Sequence, residues 1–278
     1  MNSFPFFLVD AFTDKPFSGN PAGVCLIPKG MTTDMCQHIA AEVRQAETAF
    51  IEVNDNWELN SELVFPIRWF TPLREVSICG HATLASAHVL FNEYNQNAGS
   101  LTFKSKSDSL IVRQLNSMLS LEFPADIPEK IKPDSNLLNA LGIIDYMDAF
   151  YGPKTKKTVI RINDDADILS IKPDYTRMME TVESKFCHGV GVTKKGKDDW
   201  DFISRYFNPW YGVNEDAVTG SVHTVLGPYW SQELGKNKLK AFQSSFRGGK
   251  IELLIKKDCI IFYGKCTTMI KGEMFIYN

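Results

Sequence analysis

Short apolar segments follow one another along the chain in an order that both halves repeat. At the start, "FPFFLVDAF" (4–12) reads as an opening strand, and "SGNPAGVCLI" (18–27) sets a Gly-Asn-Pro turn before an apolar, strand-like run. In "TTDMCQHIAAEVRQAE" (32–47), Met35, Ile39, Ala40 and Val43 recur at helical spacing, with Thr33 or Asp34 as N-cap, so a helix is expected that ends at Glu47. "TAFIEV" (48–53) and "LVFPIRWFTP" (63–72) then predict strands, the second stopped by Pro72. "HATLASAHVLFNEY" (81–94) predicts a helix free of Gly and Pro, and further strands are expected near Leu101–Phe103 and Leu119–Phe123. Later, "KPDYTRMMETVES" (172–184) predicts a helix capped by Asp174, with strands at "HGVGVT" (188–193), "WDFISRYFNP" (200–209), "KIELLIK" (250–256) and "CIIFYGK" (259–265).

The repetition extends to particular residues. "EVSICGHATLASAH" (75–88) and "NEDAVTGSVHTVLG" (214–227) each place a Glu ahead of a Gly-polar pair and a small-residue apolar stretch. Ahead of them, Arg68-Trp69-Phe70-Thr71-Pro72 matches Arg205-Tyr206-Phe207-Asn208-Pro209, and the linkers to Gly80 and Gly220 differ by three residues. Internal duplication accounts for this better than the general likeness of strand–turn–helix units. It predicts two similar α/β lobes, with a ligand cleft between them.

Composition narrows the class. The 278 residues suffice for two ordinary domains, and 44% hydrophobic with 23% charged residues is the balance of a folded globular protein. A net charge of −3 with no basic stripe argues against a nucleic-acid binder. The N-terminal stretch has no signal-peptide pattern and no apolar run reaches membrane-spanning length, so a cytoplasmic protein with no membrane association is expected. The six cysteines (25, 36, 79, 187, 259 and 266) are then expected to be free thiols.

The chemistry concentrates at the two helix starts. Gly80-His81 and Gly220-Ser221 are expected to present backbone N–H groups and a helix dipole to an anion, a carboxylate included. Ser221 or Thr219 capping its own helix is the simpler alternative. His81 is able to donate to a substrate oxygen or move a proton, Asp216 to orient an imidazole or cap a helix, and Glu47 to act as a base. Metal ligation has little support: Cys79 and His81 are two residues apart, His81 and His88 seven, and no Cys-x-x-Cys occurs. Nucleotide-binding glycine patterns are absent, and "TGSVH" (219–223) fails the serine-hydrolase elbow at its last position. Chemistry without a cofactor is therefore expected.

Six segments, "SGNPAGV" (18–24), "AETAF" (46–50), "RWFTP" (68–72), "EVSICGHATLA" (75–85), "NEDAVTGSVH" (214–223) and "QSSFRGG" (243–249), together resemble the PhzF-like family, named for an enzyme of phenazine biosynthesis. The resemblance spans nearly the whole chain. It implies an α+β architecture of the diaminopimelate-epimerase type: two pseudo-symmetric α/β domains, each a curved, barrel-like sheet around a central helix. The lobes expected from it are residues 1–123, completed by a final strand at about 268–278, and residues 124–267. It also implies a homodimer and a cofactor-independent isomerase that moves a proton on a small carboxylated substrate. By motif, the catalytic residues fall on Glu47, His81 and Asp216, and the substrate-binding ones on Asn20, Gly80, Gly220 and Ser221, with Glu47 expected to be partly buried. Epimerases of this fold use two cysteines, one per helix start; here Cys79 stands in the first motif and none in the second. Ala217 stands where many relatives have proline. The alternatives are a small-acid-binding protein without catalysis, or a thiol-assisted epimerase using Cys79.

Overall fold

A computed structural model describes residues 2–54, 63–94, 99–106, 109–181 and 187–276. The chain divides into two units, residues 1–122 with 263–278, and residues 123–262.

In the first unit, Asn2–Ala11 pairs antiparallel with both Cys266–Ile276 and Asn20–Pro28. The sheet continues parallel to Glu47–Val53, antiparallel to Val64–Phe70, parallel to Ser100–Lys104 and antiparallel to Ser109–Leu115. Helix α1 (Thr33–Val43) packs on one face: Cys36, Ile39 and Ala40 are buried at helical spacing against Phe4, Cys25, Ile27, Phe50 and Phe70. Its N-cap is Thr32, one residue before the expected cap, and Thr32 Oγ1 accepts from the Met35 N–H at 3.2 Å. The helix also stops earlier than expected. Arg44 takes a left-handed conformation (φ 55) and its N–H bonds Ala40 O, which turns the chain so that Glu47 begins a strand instead of ending a helix.

Helix α2 (Gly80–His88) is enclosed by the sheet and is buried from His81 through Ala87. It contacts strands from Asn2–Ala11 round to Ser109–Leu115, and its small residues allow that close approach. The buried hydroxyls of Thr83 and Ser86 are satisfied by Cys79 O and Ala82 O. Beyond His88 the expected helix runs on as a π-helical turn, Val89–Glu93.

The second unit repeats the frame. Asp148–Gly152 pairs antiparallel with Lys157–Arg161, which is parallel to Val190–Lys195, then antiparallel to Phe202–Asn208, parallel to Lys238–Gln243 and antiparallel to Gly249–Ile255. Helices α3 (Ser135–Leu141) and α4 (Tyr175–Thr181) cover one face through Leu137, Leu141 and Met178. Asp174 caps α4 by accepting from the Arg177 N–H; residues 182–184 of that predicted helix lie outside the described residues. Helix α5 (Gly220–Leu234) is the buried counterpart of α2. Pro228 inside it cannot bond back to Thr224 O, and the Asp126 N–H fills that vacancy at 3.1 Å.

Among the described residues no helix is long and apolar enough to cross a membrane, and none of the six cysteines forms a disulfide.

Candidate active site

Three segments bring Asn20, Glu47, Cys79 and His81 together in the first unit. Gly19 (φ +71) makes the turn before Asn20; a Cβ there would meet Ala11 O at 2.2 Å, so only glycine fits. Glu47 pairs in register with Ala22, next to the strand that Asn20 opens. His81 is the second residue of α2, and its ring is buried.

The imidazole sits between its partners. Asn20 Nδ2 donates to His81 Nδ1 at 3.3 Å, which leaves the ring proton on Nε2. Nε2 lies 3.4 Å from Glu47 Oε2, near enough for an ion pair but without an aligned hydrogen bond. Burial pushes the His81 pKa down to about 3, so the ring is neutral and the contact is that of a carboxylate with a neutral N–H. The Glu47 side chain is 23% exposed, partly buried as expected and open on one side.

Cys79 is less isolated than its sequence context suggests, with Sγ 3.5 Å from His81 Nδ1. Glu47, Cys79 and His81 each bring one possible metal-ligand atom within 4.8 Å of the others. Sequence spacing missed this trio because Glu47 comes from a separate strand. The ring turns Nδ1 to the thiol and Nε2 to the carboxylate, so the imidazole stands between the two.

In the second unit Gly220 is buried at the start of α5 and Ser221 is exposed beside it. Neither N-cap residue, Cys79 or Thr219, turns its side chain back to cap its helix. Thr219 Oγ1 instead donates to Asp216 Oδ2 at 2.5 Å, which holds the carboxylate beside the helix start. Gln243 braces this turn: its Oε1 accepts from the Thr219 N–H at 2.9 Å and its Nε2 donates to Asp216 O at 2.7 Å. Ser245 Oγ adds a bond to Ala217 O. "QSSFRGG" therefore positions "EDAVTGS", a role its sequence did not reveal.

A second brace is common to both helix starts. Arg68 grips Glu75 through Nε and Nη2 at 2.8 and 2.9 Å, and Arg205 grips Glu215 at 2.7 and 2.9 Å. The repeated Arg and Glu of the two motifs were the available signal for these pairs. The Arg68 guanidinium holds the Glu75 carboxyl down at about 2.

Residues 9–272 match the family model described as phenazine biosynthesis-like protein (PhzC-PhzF). A phenazine biosynthesis-like domain-containing protein of Bos taurus is 41% identical over 91% of this chain and 92% of its own length. An uncharacterized isomerase of Pseudomonas aeruginosa is 38% identical over 97% and 98%. A crystal structure of a PhzF-family phenazine biosynthesis protein from Enterococcus faecalis superposes with a TM-score of 0.89 at 36% identity, covering 99% of this chain and all of that one (100%). Solved epimerases of much lower identity share the fold. The chain belongs to the phenazine biosynthesis-like family and is an isomerase built on the epimerase-type fold.

Proposed function

We propose that this isomerase moves a proton on a small carboxylated metabolite, with Glu47 as the general base and then the general acid. The observation that carries the reading is the partly exposed Glu47 carboxylate held 3.4 Å from Nε2 of a buried, neutral imidazole. Glu47 takes a proton from a substrate carbon next to an activating group. The C–H electron pair enters the conjugated system, and the protonated Glu47, open to solvent on one side, exchanges its proton with the solvent and delivers one to another carbon on the same face. His81 Nε2–H donates to the oxygen on which negative charge collects, while Asn20 fixes the tautomer that makes this possible. The backbone at Gly80, and that at Gly220 and Ser221, favours a carboxylate through the helix dipole, and Asp216 orders the second of these turns. No step requires a cofactor.

The test is turnover of a panel of small unsaturated and cyclic carboxylic acids in deuterated water. The mechanism predicts deuterium on the carbon that receives the proton, and a His81→Asn variant slowed by about 10²-fold. Conversion without label, or full rate in His81→Asn, would contradict it. The position of Cys79 Sγ, 3.5 Å from His81 Nδ1, favours one second reading, a thiol-assisted epimerase. That reading requires Cys79→Ala to abolish turnover; the proton-shift mechanism predicts that most activity remains.

A further inference from the structure

The start of α5 carries a buried imidazole that the proposed chemistry does not use. His223 is fully buried one turn into the helix, and its Nδ1 lies 2.7 Å from Thr219 O. A carbonyl has no proton to give, so Nδ1 carries the ring proton and donates it. Nε2 is then the acceptor, facing Ser204 Oγ at 3.5 Å on the strand Phe202–Asn208. The ring also packs against Phe202, with centroids 5.8 Å apart. Burial pushes the His223 pKa down to about 4, so the imidazole is neutral.

This bond matters because of what Thr219 holds. Thr219 is the N-cap residue of α5, yet its hydroxyl does not cap the helix. Gln243 Nε2 is a donor only, so at 3.2 Å it takes a lone pair of Thr219 Oγ1, and the hydroxyl proton goes to Asp216 Oδ2. Gln243 Oε1 accepts the Thr219 N–H, and His223 bonds the Thr219 carbonyl. Every polar group of Thr219 is thus engaged, and the series Ser204–His223–Thr219–Asp216 runs from a strand to the turn before α5. In the first unit Thr83, also four residues after its N-cap residue, donates to Cys79 O at 2.6 Å, and Ile67 stands where the second unit has Ser204. Among the described residues, the second unit alone joins this carbonyl through a ring to a strand hydroxyl.

We propose that His223 is a positioning residue for the isomerisation, acting through Thr219 to hold Asp216 and the first amides of α5 where the substrate meets them. This rests on the reading above that Asp216 and the Gly220–Ser221 backbone face the substrate. Without the Nδ1 donor, Thr219 is free to turn its hydroxyl back onto the helix amides, as an N-cap threonine ordinarily does. That turn releases the Asp216 carboxylate and covers the amides that a substrate carboxylate would use.

The experiment compares His223→Asn with His223→Gln. The asparagine amide nitrogen falls at the place of Nδ1 and keeps the donor for Thr219 O, whereas the glutamine amide nitrogen falls at the place of Nε2. Each is assayed on an acid that the wild type converts in deuterated water, at a temperature where its Tm shows it folded. His223→Asn should keep kcat within about threefold of wild type, and His223→Gln should lose about 10- to 100-fold. In a Thr219→Val background, which already lacks the hydroxyl, His223→Gln should cost less than about threefold more. The ¹⁵N spectrum of the wild-type imidazole, which needs no substrate, should show the proton on Nδ1. Equal rates for the two His223 variants, additive losses with Thr219→Val, or a proton on Nε2 would overturn the proposal. Asp216→Asn separates the two levels: full rate there removes the reading on which the proposal rests. A slow Asp216→Asn beside a fast His223→Gln removes His223 alone.

Discussion

The two units share one frame and differ in what they place on it. Each has the same alternation of antiparallel and parallel strands, a buried helix starting with glycine, and an arginine–glutamate pair bracing the turn before that helix. Register aligns Glu47 with Gly189: Thr48 pairs with Phe70 as Val190 pairs with Phe207. The position of Glu47 in the first unit is thus a glycine in the second, with φ +136, and a Cβ there would lie 2.0 Å from Tyr206 Oη. Tyr206 in turn donates to His188 O and accepts from the buried Lys157 ammonium at 2.7 Å. Burial lowers the Lys157 pKa to about 8, against the opposing pull of Asp216 and Asp126. The two units keep one scaffold, and at the same register position one carries a carboxylate and the other a glycine packed against Tyr206.

The largest effect on stability should come from breaking this difference at Arg205. Arg205 holds Glu215 and also donates to Ile168 O and Ile171 O, whereas Arg68 holds Glu75 and also donates to Thr33 Oγ1. Arg205→Met should cost about 3 kcal/mol, since it strands a carboxylate and two carbonyls, and Arg68→Met about 1 kcal/mol, by urea denaturation of each variant. Equal costs would mean that the two braces are energetically alike. Next comes Gly189→Ala, with an expected loss of about 2 kcal/mol from the left-handed backbone and the Tyr206 contact. Adding Tyr206→Phe should recover part of that loss in the same assay. If it recovers none, the Oη contact is not what excludes a side chain at this position.

The last effect is on acid stability, and it is spread over several pH units. Burial depresses His81 to about 3 and His223 to about 4, so between pH 6.5 and those values the unfolded chain binds protons that the folded chain does not. Stability should therefore fall as pH drops through that window. Glu75, held down at about 2 by Arg68, adds a further loss below about pH 4.5, where its unfolded carboxyl takes up a proton. His223→Gln should flatten the upper part of the profile and Arg68→Met the lower, as measured by Tm against pH.

Much of this was legible in the sequence because it rests on local pattern. The helix starts, the strand ends at Pro72 and Pro209, and the family motifs are contiguous and read directly. Glu47 was legible as a motif residue but not as a strand residue, since a non-glycine in a left-handed conformation at Arg44 has no strong sequence signature. The closeness of Cys79 to the imidazole, the bracing by Gln243 and the Lys157–Tyr206 pair depend on strand register across distant segments. The expected motif match at "QSSFRGG" marked the place without disclosing the contact.

The central claim is that the duplicated frame carries one working base, Glu47. The most direct test is the rate of deuterium entry into a converted acid, compared between the wild type and Glu47→Gln, with folding of the variant checked by its Tm. A fall of about 10²–10⁴-fold at unchanged Tm is the predicted result. Exchange at the wild-type rate in Glu47→Gln would contradict it and move the base elsewhere in the molecule.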